Sequence, residues 1–237
     1  MAGLEGRERA DYVRRMFGRI AGRYDLLNRL MTFGQDRRWR RIVVRMADLP
    51  PGGALLDVAT GTGDIALEAL HQRPDVRAVG VDFTRAMLHI GQARANGNQV
   101  GWVEGNALSL PFPDGAFDAA VSGYLMRNVV DVPGAFREQM RIVRPGGRVV
   151  CLDTTPPRGL TRPLVLLHLR VVIPLLGRFV AGEPAAYTYL PESTEGFKSA
   201  EELAAIMREV GLVDVRYRRL AMGAMAIHSG MRPQEDS

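Results

Sequence analysis

Apolar residues recur every three or four positions near the start of the chain, at Tyr12, Met16, Phe17, Ile20, Tyr24, Leu27 and Leu30, which predicts a long amphipathic helix. A second helix is predicted from Arg37 to Met46, and Pro50-Pro51-Gly52-Gly53 closes this helical cap of residues 1–50. Then the period changes. Short apolar runs near 54–59, 76–82, 100–104, 117–122 and 147–153 read as strands, and amphipathic stretches near 64–72, 84–95 and 133–143 separate them as helices. Such alternation predicts an α/β fold with a doubly wound, mostly parallel sheet.

Beyond Asp153 the prolines at 156, 157, 163, 174, 184 and 191 interrupt any regular period. Residues 156–198 are expected to be a helical insertion after strand five, a substrate lid containing the apolar segment Leu164 to Val180. Arg170, Arg178 and the break at Pro174 argue against a bilayer span, but a helix lying in a membrane interface fits as well as a lid. Ser199 as N-cap, followed by Glu201 and Glu202, opens a last helix that Gly211 ends. Strands at 212–219 and 222–228 form a closing hairpin and bring the sheet to seven strands, leaving residues 231–237 as a disordered tail. One domain is expected over residues 1–237, with its ligand-binding core at 51–155.

With 237 residues and 46% hydrophobic content the chain can bury a sizeable core. The charged opening Met1 to Arg9 is unlike a signal peptide, so a cytoplasmic location is expected. Cys151, the one cysteine, lies in an apolar run and reads as a buried thiol; His71, His89, His168 and His228 lack ligand spacing, so no metal site is predicted. The net charge of +5 is almost wholly arginine, since Lys198 is the only lysine. The clusters Arg37-Arg38-Trp39-Arg40-Arg41 and Arg216-Tyr217-Arg218-Arg219 read as solvated faces rather than a nucleic-acid groove.

Candidate chemistry concentrates after the first strand. Leu55-Leu56-Asp57-Val58 runs into Ala59-Thr60-Gly61-Thr62-Gly63-Asp64, and Asp82 ends the next strand about 20 residues on, the arrangement of a nucleotide-ribose site. The glycines also satisfy the pattern of dinucleotide enzymes. However, Asp57 and Asp64 flank the loop and would repel a pyrophosphate, so a cationic adenosine ligand is expected, and S-adenosylmethionine fits. Asp82, with Phe83 beside it, is assigned to the ribose hydroxyls, Asn106 and the Ala107 N–H to the adenine edge, and Gly123 to close backbone approach at the reactive end.

Read this far, the chain resembles the class I S-adenosylmethionine-dependent methyltransferases. The blocks Phe17 to Asn28, Phe33 to Arg40, Met126-Arg127-Asn128-Val129, Tyr187-Thr188-Tyr189-Leu190-Pro191-Glu192-Ser193 and Ala226-Ile227-His228-Ser229-Gly230 narrow this to the ubiquinone/menaquinone biosynthesis C-methyltransferase family. That resemblance implies a polyprenylated quinol substrate, demethylmenaquinol ahead of a benzoquinol, and cofactor positions at Thr62, Asp82, Asn106 and Ala107. Gly123 departs from the serine of some members, Leu125-Met126 from the usual Gly-Leu, and Asp153-Thr154-Thr155 from the commoner Glu-Phe-Ser.

A quinol carbon becomes nucleophilic when its hydroxyl loses a proton, and a fixed positive charge favours that anion. Arg127 is placed to supply it and Asn128 to orient it, although an ion pair from Arg127 to Asp131 is an equal reading. Tyr24, Tyr187, Tyr189 and His228 are candidates for holding the quinol. The prenyl tail suggests peripheral association with the inner face of the cytoplasmic membrane. A homodimer is left open, and a methyltransferase acting on RNA or another metabolite is the alternative.

Overall fold

The computed structural model describes residues 6–176, 193–194 and 196–234, with only part of the side chains before residue 25. Helices α1 (Gly6–Met31) and α2 (Asp36–Met46) come first, as the opening periodicity requires. Strands and helices then alternate: β1 (Ala54–Val58), α3 (Asp64–Gln72), β2 (Arg77–Asp82), α4 (Arg85–Gln92), β3 (Gly101–Glu104), β4 (Phe117–Gly123), α5 (Val132–Ile142) and β5 (Val143–Thr154). Next come α6 (Arg162–Leu167), a π-helical turn (His168–Val172) and α7 (Ile173–Leu176), and α8 (Ala200–Glu209), β6 (Val213–Leu220) and β7 (Met225–Met231) end the fold.

The seven strands form one sheet in the order β3-β2-β1-β4-β5-β7-β6, with β7 antiparallel to both of its neighbours. Strand order reverses between β1 and β4, which opens a crevice at their carboxyl ends. Every residue of β1 is buried, including Asp57. One face of the sheet packs Leu56, Val58, Ala120 and Val149 against Phe136 of α5 and Leu203 and Met207 of α8. The other packs Leu55, Val121 and Leu152 against Trp39 and Val43 of α2 and Ile65 and Ala69 of α3. The cap is thereby laid over the first turn of α3.

Two local signals act as expected. Ser199 accepts the Glu202 N–H while Glu202 accepts the Ser199 N–H, a capping box that starts α8. The closing hairpin turns through Ala221–Gly223, a turn that sets β7 at 225–231, three residues later than the pattern suggested. Its residues have φ of 49°, 53° and 89°, which no strand can continue.

Among the arginines, Arg37, Arg38 and Arg41 are exposed, whereas Arg40 is buried beside Trp39. The solvated-face reading therefore fails at Arg40, which shares the inward stripe of α2 with Asp36, Trp39, Val43 and Val44.

Candidate cofactor and substrate site

The glycine loop is held from below by two carboxylates. Asp57 Oδ2 accepts the Thr60 hydroxyl at 2.7 Å and the Ala66 N–H at 3.1 Å. Asp82 Oδ2 accepts the Gly61 N–H at 2.8 Å, and its Oδ1 accepts the Thr84 N–H at 2.7 Å. Gly63, the N-cap of α3, has φ 83°, and a Cβ there would run into the Trp102 ring, so the loop turns where only glycine fits. Trp102 is anchored in turn by its Nε1–H to the Gly97 carbonyl at 2.8 Å.

Two adjoining cavities open around this loop. The first is lined by Asp82, Phe83, Thr84, Met87 and Leu108 at one end and by Tyr124, Leu125, Asn128, Val129 and Val130 at the other. A carboxylate below apolar walls suits a sugar diol carrying a flat base. The second is lined by Arg40, Asp57, Thr60, Thr62, Asp64 and Ile65, and shares Ala59, Gly61, Gly123 and Tyr124 with the first. Ala59 and Tyr124, on the shared wall, have φ of 57° and 60°. Left-handed backbone at non-glycine residues is costly and concentrates at binding sites. A side chain at Gly123 would crowd Ile65 Cδ1 at 3.0 Å, which keeps this junction open.

Burial raises the Asp57 carboxyl to about 7, against the opposing bonds from Thr60 and Ala66. Its Oδ1 is buried without a hydrogen-bond partner, an acceptor waiting for a donor. Burial also raises Asp82, opposed by the N–H groups of Thr84 and Gly61. Asp64, by contrast, pairs with Arg40 and Arg94, each at 2.7 Å, so its charge is answered within the protein and Asp57 alone presents an unsatisfied oxygen. That narrows the argument from two flanking acids to one. The residues present thus fit an adenosine ligand bearing a cationic arm.

Of the expected site residues, Asp57, Gly61, Thr62, Asp82, Phe83 and Gly123 line the cavities, and Gly63 shapes the loop without lining either. The Thr62 hydroxyl donates to Asp25 at 2.7 Å and so ties α1 to the loop. Asn106 Oδ1 accepts the Leu108 N–H at 3.0 Å, so it shapes the turn that brings Leu108 to the cavity; Ala107 lies within that turn. Asn128 lines the first cavity and donates to the Tyr124 carbonyl at 2.7 Å.

Arg127 sits behind this wall. Its guanidinium lies over the Tyr124 ring, 4.9 Å from the centroid, and its ion pair is with Asp153. The expected alternative partner, Asp131, instead caps α5 through the Gly134 N–H. His228 lies under α8, with Nε2 2.9 Å from the Ala200 carbonyl and its ring stacked on Tyr217. It lines neither cavity, because its strand position opposite Cys151 faces the α8 side of the sheet. Tyr187 and Tyr189 lie outside the described residues, as does the Tyr24 side chain. Sequence reasoning missed Arg40 and the Asp153 clamp; the stripe Asp36, Arg40, Val43, Val44 was the available signal for the first.

The profile of the ubiE/COQ5 methyltransferase family matches residues 5–232. The chain belongs to this family. It is 48% identical over 221 residues to the ubiquinone/menaquinone biosynthesis C-methyltransferase UbiE of Desulfotalea psychrophila, covering 93% of this chain and 90% of that one. It is 45% identical to the demethylmenaquinone methyltransferase of Roseiflexus castenholzii, with 95% of each chain covered, and 46% identical to that of Thermus thermophilus, with 92% and 100% covered. Among solved structures, the [4+2]-cyclase SpnF superposes with a TM-score of 0.72 at 18% identity, covering 99% of this chain and 100% of that one. A Thermotoga maritima S-adenosylmethionine-dependent methyltransferase does so with a TM-score of 0.64 at 20% identity, covering 92% and 98%. Likeness at that identity concerns the fold alone, and a cyclase among the neighbours shows why chemistry must be argued from the site.

Proposed function

We propose that this chain methylates a ring carbon of a polyprenylated quinol, demethylmenaquinol, with S-adenosylmethionine as methyl donor. The carrying observation is that the family match runs through the cap and the closing hairpin as well as the loop, residues 5–232, with relatives named demethylmenaquinone methyltransferase. The orphaned Asp57 oxygen and the cradled Asp82 support the cofactor assignment.

When bound, the cofactor supplies an electrophilic methyl on a sulfonium. The protein has to make the quinol carbon a nucleophile and hold it dry. Leu125, Val129 and Val130 line the first cavity and offer the ring an apolar wall. Arg127, its charge answered by Asp153, acts as a positioning residue that fixes the Tyr124 ring on the cavity wall against which the quinol is oriented. Asn128 fixes the Tyr124 main chain at that junction. Ring methylation releases one proton net: the hydroxyl proton leaves as the anion forms, and once the carbon has taken the methyl in exchange for the cofactor's S–C bond, the ring C–H proton is lost and the oxygen regains its own. Orientation of the bound reactants is worth roughly 7–11 kcal/mol, so few acid–base side chains are required.

The prenyl tail calls for a lipid contact. Leu164, Leu167, Val171 and Leu175 are exposed along α6–α7, with Leu160 exposed just before them, while Val165, Leu169 and Ile173 are buried. Phe33, exposed at the end of α1, joins that row through its ring contact with His168. Among the described residues no helix is long and apolar enough to cross a membrane. We place this row at the membrane surface, apolar side down. Incubation with methyl-labelled cofactor and demethylmenaquinol, a prenylated benzoquinol or bulk RNA decides the substrate: label in the naphthoquinol is expected, and label in RNA alone overturns the reading. Flotation with vesicles, with and without anionic lipid, tests the surface, and failure to float with either overturns it.

A further inference from the structure

We infer that the apolar face of α6–α7 and the end of α1 docks on an anionic bilayer, where Arg29, Arg37, Arg38 and Arg162 meet the phosphate groups of the lipids. The inference rests on the membrane placement proposed above and adds to it the chemistry of the partner.

The apolar side chains come from three parts of the chain that hydrogen bonds and a ring contact tie together. His168 Nε2 lies 2.9 Å from the Met31 carbonyl, and its ring centroid is 5.3 Å from that of Phe33. The Thr161 hydroxyl donates to the Met222 carbonyl at 3.0 Å, so the turn of the closing hairpin lies beside the start of α6. The exposed row of α6–α7 is thereby joined by Phe33, which is 75% exposed, and by Met222. So many large apolar side chains gathered on one face mark an interaction surface.

Charge around this face has one sign. From Tyr12 to Arg41 the chain has two acids, and both are engaged within the protein: Asp25 with Thr62 and Arg94, and the buried Asp36 with Arg40. From Thr154 to Leu176 it has none. The chain as a whole carries 26 acids in 237 residues, so the deficit is local. In these same stretches Arg29, Arg37, Arg38 and Arg162 are exposed, within a few residues of Leu30, Phe33 and Leu164.

An apolar row alone would enter a neutral bilayer as readily as a charged one. The arginine rim separates the two, because each cation brought to an anionic lipid surface strengthens partitioning roughly fivefold, and an exposed carboxylate there would cancel one. A guanidinium also takes two phosphate oxygens at once. Nucleic acid would meet the arginines too, but it would leave Leu164, Leu167 and Val171 in water.

Vesicle flotation of the whole chain, titrated against lipid, tests this with phosphatidylcholine alone and mixed with phosphatidylglycerol. Wild type should partition on the order of 100-fold more strongly onto the mixed vesicles, and high salt should remove most of that preference. The fourfold variant Arg29→Gln/Arg37→Gln/Arg38→Gln/Arg162→Gln should bind both vesicles alike while unfolding at the wild-type temperature. Phe33→Ser/Leu164→Ser should weaken both by a similar factor and keep the preference. Arg77→Gln/Arg144→Gln, which removes exposed charge at the amino-terminal ends of β2 and β5, should behave as wild type. Equal partitioning of wild type, or a preference that survives in the fourfold variant, overturns the inference and leaves the membrane placement standing. Failure to float with either vesicle overturns that placement and the inference with it. Displacement from the mixed vesicles by bulk RNA at equal phosphate concentration assigns the rim to nucleic acid and overturns the lipid.

Discussion

Asp153 holds Arg127 at two points, accepting its main-chain N–H through Oδ2 at 3.2 Å and facing Nη1 through Oδ1 at 3.4 Å. The pair is buried at the carboxyl ends of β4 and β5, where burial raises the Asp153 carboxyl and Arg127 opposes that rise. Removing the arginine strands a carboxylate, so Arg127→Ala should cost about 3–5 kcal/mol in stability. Asp153→Asn is the cleaner probe. It keeps the shape but releases the guanidinium, and it should lower kcat by roughly 10²-fold, as small misplacements do, with S-adenosylhomocysteine affinity nearly unchanged. Steady-state kinetics beside calorimetric binding check this, and unchanged kcat would refute it.

Asp57 should make cofactor binding release protons. Its carboxyl, raised to about 7 in the free protein, is partly protonated at neutral pH, and an ammonium beside Oδ1 favours the ionised form. Affinity should rise as pH climbs through 7, with proton release visible in buffers of different ionisation enthalpy. Asp57→Asn should abolish both effects.

Asp82→Ala removes the acceptor of the Gly61 and Thr84 N–H groups and, with it, the acceptor proposed for the ribose. The loss in S-adenosylhomocysteine affinity should be about 2–5 kcal/mol. Near-normal binding would show that the nucleoside lies elsewhere.

Gly63→Ala combines a strained φ with a collision at Trp102. A destabilisation of about 2–4 kcal/mol is expected from the two effects. Thermal unfolding measures it, and a Trp102→Leu background should relieve the collision but not the strain.

His228 is held neutral by burial, which lowers its pKa to about 4. Below pH 6.5 the unfolded chain takes up this proton first, so the stabilisation is full above 6.5 and is lost as pH falls towards 4, by about 3 kcal/mol. Asp57 acts oppositely, since the folded chain protonates it first as pH falls from 7. The difference between wild type and His228→Phe in denaturant titrations across pH 4–7 isolates the histidine. Parallel profiles would refute the assignment.

The strand-loop-helix of β1 and α3, the acid at 82 and the N-cap at Ser199 were legible because each is built from neighbours in the chain: an apolar run, a glycine turn, a carboxylate at a strand end. The partners of Arg127 and Asp64 were not. Asp153 is 26 residues from Arg127, and Asp64 finds Arg40 on α2 and Arg94 just past α4, so only packing reveals that these charges are answered. His228 misled for a related reason: the motif around it is local, but which side of β7 faces the site depends on the register with β5.

The bonds that Asp82 makes to the Gly61 N–H and Asp57 to the Thr60 hydroxyl and the Ala66 N–H join the protein's own groups to one another. The entropy of ordering that turn is therefore met once, when the chain folds, rather than at each catalytic cycle. A receptor stiffened in advance has no relaxation to drive the spent thioether out, and its residence time is set by the polar contacts it keeps.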